Sequence, residues 1–157
     1  MPKSRTKTSL DAIDMLKQDH DKAEKAFKEF EKMDRQDAEA CRRLVAQTCE
    51  ELKVHTALEE EIFYPAVREA IEDEDLLNEA QVEHTSAKDL IRQLENMKPD
   101  DPMYEATFRV LGEYVLHHAK EEESEMFPQV RKSDLDLEAL AEKLMARKEE
   151  LTASLPA

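Results

Sequence analysis

One pattern occurs twice in this chain and limits its fold more than any other feature. His55-Thr-Ala-Leu-Glu59-Glu-Glu-Ile-Phe-Tyr-Pro65 is echoed by His118-Ala-Lys-Glu-Glu122-Glu-Ser-Glu-Met-Phe-Pro128. In both, a glutamate follows the histidine by four residues and a proline follows it by ten. Four residues on an α-helix are about one turn with about 40° of residual rotation, so each His and its Glu share a face. The echo reaches further back: His20 precedes His55 by 35 residues, and His84 precedes His118 by 34. Self-similarity of this period predicts two helix pairs, each unable to bury its inner face without the other.

The apolar spacing agrees. Leu10, Ile13, Leu16, His20, Ala23, Phe27 and Phe30 recur at steps of three and four, with Ser9 as the expected N-cap. The pattern fades at Met33–Gln36, and Asp37 is the next candidate cap. Cys41, Leu44, Val45, Thr48, Leu52, His55, Glu59 and Ile62 form the second stripe, which Pro65 is expected to kink or end. Glu72–Asp75 suits a helix start. Leu77, Ala80, His84, Ala87, Ile91 and Leu94 form the third stripe, and Lys98–Pro102 reads as a loop. Phe108, Leu111, Val115, His118 and Glu122 form the fourth, closed by Pro128. A last helix capped at Ser133 or Asp134 carries Leu137, Leu140, Leu144 and Leu151. Short connections favour antiparallel neighbours. The expected architecture is all-α: an up-down-up-down four-helix bundle over residues 9–131, with a loose basic tail over 1–8 and a C-terminal helix with a short tail over 132–157.

Composition supports this and narrows the function. A single glycine, Gly112, among 157 residues leaves little turn chemistry for a β fold. A net charge of −15 disfavours nucleic acid and anionic membranes as partners. No apolar run approaches the roughly 20 residues of a membrane helix, and no signal-peptide core is present, so a cytoplasmic protein is expected, either a monomer or a weak homo-oligomer. Cys41 and Cys49, eight residues apart on one helix, are separated by about 12 Å and read as reduced core thiols.

Four helices each place one histidine inside an apolar stripe, and two add a glutamate. A buried carboxylate needs a cation or several donors to offset lost hydration. His20, His55, Glu59, His84, His118 and Glu122 are therefore the candidate metal ligands. If both glutamates bridge, each of two ions has two nitrogens and two oxygens. A solvent-derived oxo or hydroxo bridge adds a fifth donor, and an octahedral ion keeps one open position. Iron suits this donor mixture, and manganese and zinc use similar ligands. Relative to His55, Glu60 is rotated about 140° and Glu61 about 120° the other way, so both are expected in solvent. His117 with Glu121 also stands four apart, but His118 with Glu122 matches the first copy's distance to proline. Tyr114, four residues before His118 on roughly the same face, is a candidate for a role beside the metals or a bound ligand, but it and Tyr64 read first as core aromatics with hydroxyls at the rim.

These residues resemble the hemerythrin-like HHE cation-binding family. The resemblance is carried by His20 in Gln-Asp-His-Asp-Lys, His55 with Glu59, His84 in Val-Glu-His, and His118 with Glu122, over about residues 9–131. It implies a bundle around a non-haem di-iron centre. Oxygen-carrying hemerythrins differ at two places. They carry a further histidine where this chain has Lys88, and an aspartate five residues after the fourth-helix histidine where this chain has Glu122 at four. The four-histidine, two-glutamate form points away from reversible oxygen carriage. The expected function is a hemerythrin-like di-iron protein, holding two iron ions, that binds or senses a small oxidant (O2, NO or peroxide) at an open metal position. The alternatives are a di-iron enzyme that breaks down peroxide or reduces NO, and an iron donor for iron–sulfur cluster repair.

Overall fold

The computed structural model describes residues 10–154. Ser9 and the basic tail lie outside them. Helix α1 runs Ala12–Lys32 and α2 runs Ala38–Leu58. A π-helical turn, Glu59–Phe63, then joins α2 to the short α3, Tyr64–Ala70. Helix α4 runs Glu74–Glu95 and α5 runs Tyr104–Glu121. A second π turn, Glu122–Met126, leads into α6, Phe127–Lys132, and α7 spans Leu137–Ala153. The result is five rods, two of them widened in the middle.

Aspartates start most of the rods. Asp11, Asp37, Asp73 and Asp136 each accept a hydrogen bond from the backbone N–H three residues on, satisfying one of the orphan donors of the first turn. At Asp11 the bond is reciprocated, because Asp14 accepts from the Asp11 N–H at 3.3 Å. Two expectations are corrected. The last helix is capped at Asp136 rather than Ser133 or Asp134. The first helix begins at Ala12, so Leu10 precedes it and is 40% exposed.

Neither proline ends its helix, and here too the sequence reading is corrected. Proline lacks a donor, and its ring clashes with the carbonyl four residues back in a regular helix. The π turn widens the ladder just ahead of it. The Tyr64 N–H bonds back five residues to Glu59, and the Phe127 N–H does the same to Glu122. Pro65 and Pro128 then sit in the first turn of the following α-segment, where a missing N–H costs nothing.

The bundle closes in the order α1, α2, α4, α5, with α7 packed along α1 and α2. Two apolar clusters divide the interior. One gathers Ile13, Leu16, Leu58, Phe63, Leu77, Phe127, Val130 and Leu144. The other gathers Phe27, Phe30, Val45, Leu52, Ile91, Phe108 and Leu111. Each fully buried side chain of this size contributes about 1.5–3 kcal/mol. Gly112 lets α5 approach α1: a Cβ there would lie 2.8 Å from the Phe27 ring. No helix among the described residues is long and apolar enough to cross a membrane. Cys41 and Cys49 are free and buried.

Candidate metal centre

The polar layer lies between the two apolar clusters. In α1, His20 falls between Leu16 of one cluster and Ala23 of the other; in α2, His55 falls between Leu58 and Leu52. His84 is placed likewise between Ala80 and Ala87. The same 3.6-residue stripe that buries each helix therefore buries its histidine. His20, His55, His84, His118, Glu59 and Glu122 are all buried, the carboxylates at 0% and 1% exposure. The π turns begin at the glutamates themselves.

The six side chains converge in two groups. His20, His55, Glu59 and Glu122 place one donor atom each within 4.8 Å of one another, and so do Glu59, His84 and His118. Each group takes both imidazoles of one sequence repeat. The ring centroids are 5.2 Å apart for His20 and His55, and 4.9 Å for His84 and His118. The carboxylates span the groups. Glu59 lies 3.5 Å from His55 Nε2 and 2.9 Å from His84 Nε2. Glu122 lies 3.1 Å from His20 Nε2 and 3.3 Å from His118 Nε2.

Every ring is oriented from behind. The Nδ1 atoms of His20, His55, His84 and His118 face Glu123, Asp19, Glu60 and Glu83 at 2.7, 2.8, 2.8 and 2.5 Å. A carboxylate on Nδ1 fixes the ring and turns Nε2 inward, the arrangement found behind metal-bound histidines. Glu60 corrects the expectation of a solvated residue: it is half-buried, pairing with His84 and also with Lys88 at 2.9 Å. Glu61 is exposed as expected and pairs with Arg147. His117 is exposed, 3.2 Å from Glu121.

Tyr64 is the larger correction. It is not a rim aromatic. Its hydroxyl lies 3.0 Å from Glu59, 3.3 Å from His84 Nε2 and 3.1 Å from His118 Nε2, and it donates to Glu122. The π turn explains this. Where N–H bonds reach back five residues, a side chain five on from Glu59 stacks above it instead of 140° away. The equivalent position in the second repeat is Phe127, whose ring runs parallel to His20 at 6.1 Å. Tyr114 does not reach the cluster; it is 49% exposed and lines the cavity described below.

Charge in the cluster is balanced among its own members. Burial alone would lower the His55 pKa, but the Glu59 carboxylate and the bond to Asp19 lift it to about 10. Burial opposes the proton on His118 in the same way, and its bonds to Glu122, Glu59 and Glu83 lift it to about 12. Burial would raise Glu59, yet His55 and the surrounding imidazoles hold it well below the usual carboxylate range. Four atoms of the cluster still make no aligned hydrogen bond: His20 Nε2 and Glu122 Oε1, 3.1 Å apart, and His55 Nε2 and Glu59 Oε2, 3.5 Å apart. Leaving a buried polar atom unmade costs about 1–3 kcal/mol. All four belong to the first group of donors, and a cation among them would satisfy them together. The donor set thus fits a metal of imidazole and carboxylate preference. Beside the cluster, toward the second apolar cluster, is a cavity of about 350 Å³.

Residues 11–130 match the family model for the hemerythrin HHE cation-binding domain. The chain belongs to that family. Domains of this family bind metal cations, and the His/Glu cluster lies within the matched region. A crystal structure of a hemerythrin HHE cation-binding domain-containing protein from Mycobacterium kansasii, a homologue of Rv2633c, superposes with a TM-score of 0.79 at 27% identity, covering 93% of this chain and 90% of that one. The uncharacterized protein Rv2633c of Mycobacterium tuberculosis is 31% identical over 107 residues, covering 66% of this chain and 65% of the relative. A protein named DNA nickase from a Nostoc species is 28% identical over 125 residues. That alignment covers 80% of this hemerythrin-like chain and 35% of the relative. The chain thus spans about a third of the length of the nickase and about two thirds of the mycobacterial protein.

Proposed function

We propose that the chain is a non-haem di-iron protein that binds or senses a small oxidant: dioxygen, nitric oxide or peroxide. The observation that carries this reading is the convergence of four imidazole Nε2 atoms and two carboxylates from four helices, with four of those buried atoms making no aligned hydrogen bond. His20 and His55 with Glu59 and Glu122 would hold one ion, and His84 and His118 with the same carboxylates the other. Iron bound there would supply one-electron redox chemistry and affinity for small oxidants. The rest falls to the chain. Asp19, Glu60, Glu83 and Glu123 orient the rings, and the apolar clusters on either side bury the donor atoms.

One observation favours turnover as a second reading. The Tyr64 hydroxyl keeps a proton within 3.3 Å of both imidazoles of the second group. Breaking down peroxide moves protons from one oxygen to another and reducing nitric oxide consumes them, and simple binding does neither. The test is iron content of aerobically purified protein, with absorption spectra before and after peroxide or nitric oxide. Two irons per chain and a near-ultraviolet band that responds to the ligand are expected, both lost in His118→Ala. Sustained gas evolution from peroxide would favour the enzyme. A well-folded chain that takes up no metal would end both readings.

A further inference from the structure

The interior beside the imidazoles holds more space than a diatomic molecule or hydrogen peroxide needs. At about 350 Å³ the cavity equals roughly a dozen water volumes of ~30 Å³ each. The small oxidants named above displace only about one or two such volumes. A dry cavity of about 150 Å³ already admits a benzene ring, and organic ligands occupy pockets from about 300 Å³ upward.

Its buried wall is largely apolar, while Gln47, Glu50, Glu51 and Lys148, exposed or half-exposed, line its outer part. Ala23, Leu52, Ala87, Ile91 and Val115 line it, from all four bundle helices. Two threonines in the wall have spent their donors on their own helix: Thr48 donates to the Leu44 carbonyl at 2.7 Å and Thr56 to the Lys53 carbonyl at 3.1 Å. Ala23 and Ala87 stand three residues past His20 and His84, where a larger side chain would fill the space. The imidazoles form one side, and the exposed Lys22 and half-exposed Tyr114 mark the way out. The cluster forms one polar side, and the buried stretch of wall between it and the charged rim is hydrocarbon.

We propose that this cavity is the tail pocket for an organic hydroperoxide. Its alkyl or aryl group lies against Ala23, Leu52, Ala87, Ile91 and Val115, and its hydroperoxide group faces the imidazole–carboxylate cluster. The inference rests on the reading of that cluster as a site for small oxidants and concerns binding alone.

The probe is 2-phenylpropan-2-ol, the redox-inert alcohol with the shape of cumene hydroperoxide, titrated calorimetrically into the protein as purified. Saturable one-to-one binding is expected, tighter than for tert-butanol, which buries fewer carbons. Ala87→Phe, and independently Ala23→Leu, should weaken it at least tenfold while iron content and far-ultraviolet circular dichroism stay unchanged. No saturable binding, equal affinity for both alcohols, or undiminished affinity in either folded variant would overturn the pocket. Should neither variant fold, the comparison of the two alcohols on the unaltered protein decides. Iron content and the spectral response to hydrogen peroxide, read on the same samples, separate the two levels. Iron and a peroxide response without alcohol binding overturn the pocket alone. Alcohol binding by a chain that takes up no iron overturns the oxidant reading, and the hydroperoxide assignment with it.

Discussion

Among the described residues, Tyr64 carries the one hydroxyl that touches both carboxylates of the cluster. Removing it strips a donor from two buried acceptors, a loss of about 1–3 kcal/mol. We expect Tyr64→Phe to lower the melting temperature of the metal-free protein and to cost much less in the metal-loaded protein, where a cation serves the same oxygens. Equal losses in both forms would contradict that. Glu60 acts one step further out, through His84 Nδ1. Glu60→Gln should weaken metal affinity by about 10- to 100-fold in chelator competition while leaving the metal-free fold intact. The six cluster residues were legible from spacing alone, because His-x3-Glu and the stripes on four helices fix their faces. Tyr64 and Glu60 were not. Angular bookkeeping at 100° per residue fails beyond Glu59, where the turn widens, and no residue type in Glu-Glu-Ile-Phe-Tyr announces a widened turn. The proline ten residues after each histidine was the available signal; it read as a helix end when it marked a change of helical pitch.

At the level of the elements, helix count, order and inward faces followed from periodicity, and all six residues of the third stripe are buried. Helix starts were less legible, since serine and aspartate compete for the same capping role and the choice depends on where the next apolar residue lands. The close approach of α1 and α5 was invisible in sequence, because a lone glycine in a helix carries no address. Gly112→Ala tests it. The added methyl meets the Phe27 ring at 2.8–3.2 Å, so a helix or the ring must move, at a cost of about 1–3 kcal/mol typical of overpacking. The substitution would otherwise favour the helix by about 1 kcal/mol. A fall in the midpoint of chemical denaturation is expected; a rise would show that Phe27 yields freely.

For the molecule as a whole, acidity and metal uptake are linked. In the metal-free protein the raised imidazoles of His55 and His118 contribute stability that is full below their unfolded value of 6.5. It drains away as pH climbs through about 10 and about 12. Glu59 has the opposite sign: held below its unfolded value of 4.5, its contribution is present above that pH and fades as the solution is made more acidic. From these groups, the metal-free protein should melt highest between 4.5 and 6.5. A metal needs the same nitrogens without protons. The rise in melting temperature on adding metal should therefore grow from about pH 6 to about pH 9. Calorimetric scans of both forms across that range check it; a metal-induced rise that shrinks as the solution becomes more alkaline would refute it.

The two halves of the chain place the same donors at the same spacing, yet nine residues after the second histidine of each they differ by one oxygen atom. Where one half presents a phenol to its neighbours, the other presents a bare phenyl ring. A molecule bound at the cluster thus meets two unlike halves: one carries a proton on oxygen, and the other is hydrocarbon. A duplicated scaffold acquires a front and a back in this way, without any change to the donors that define it.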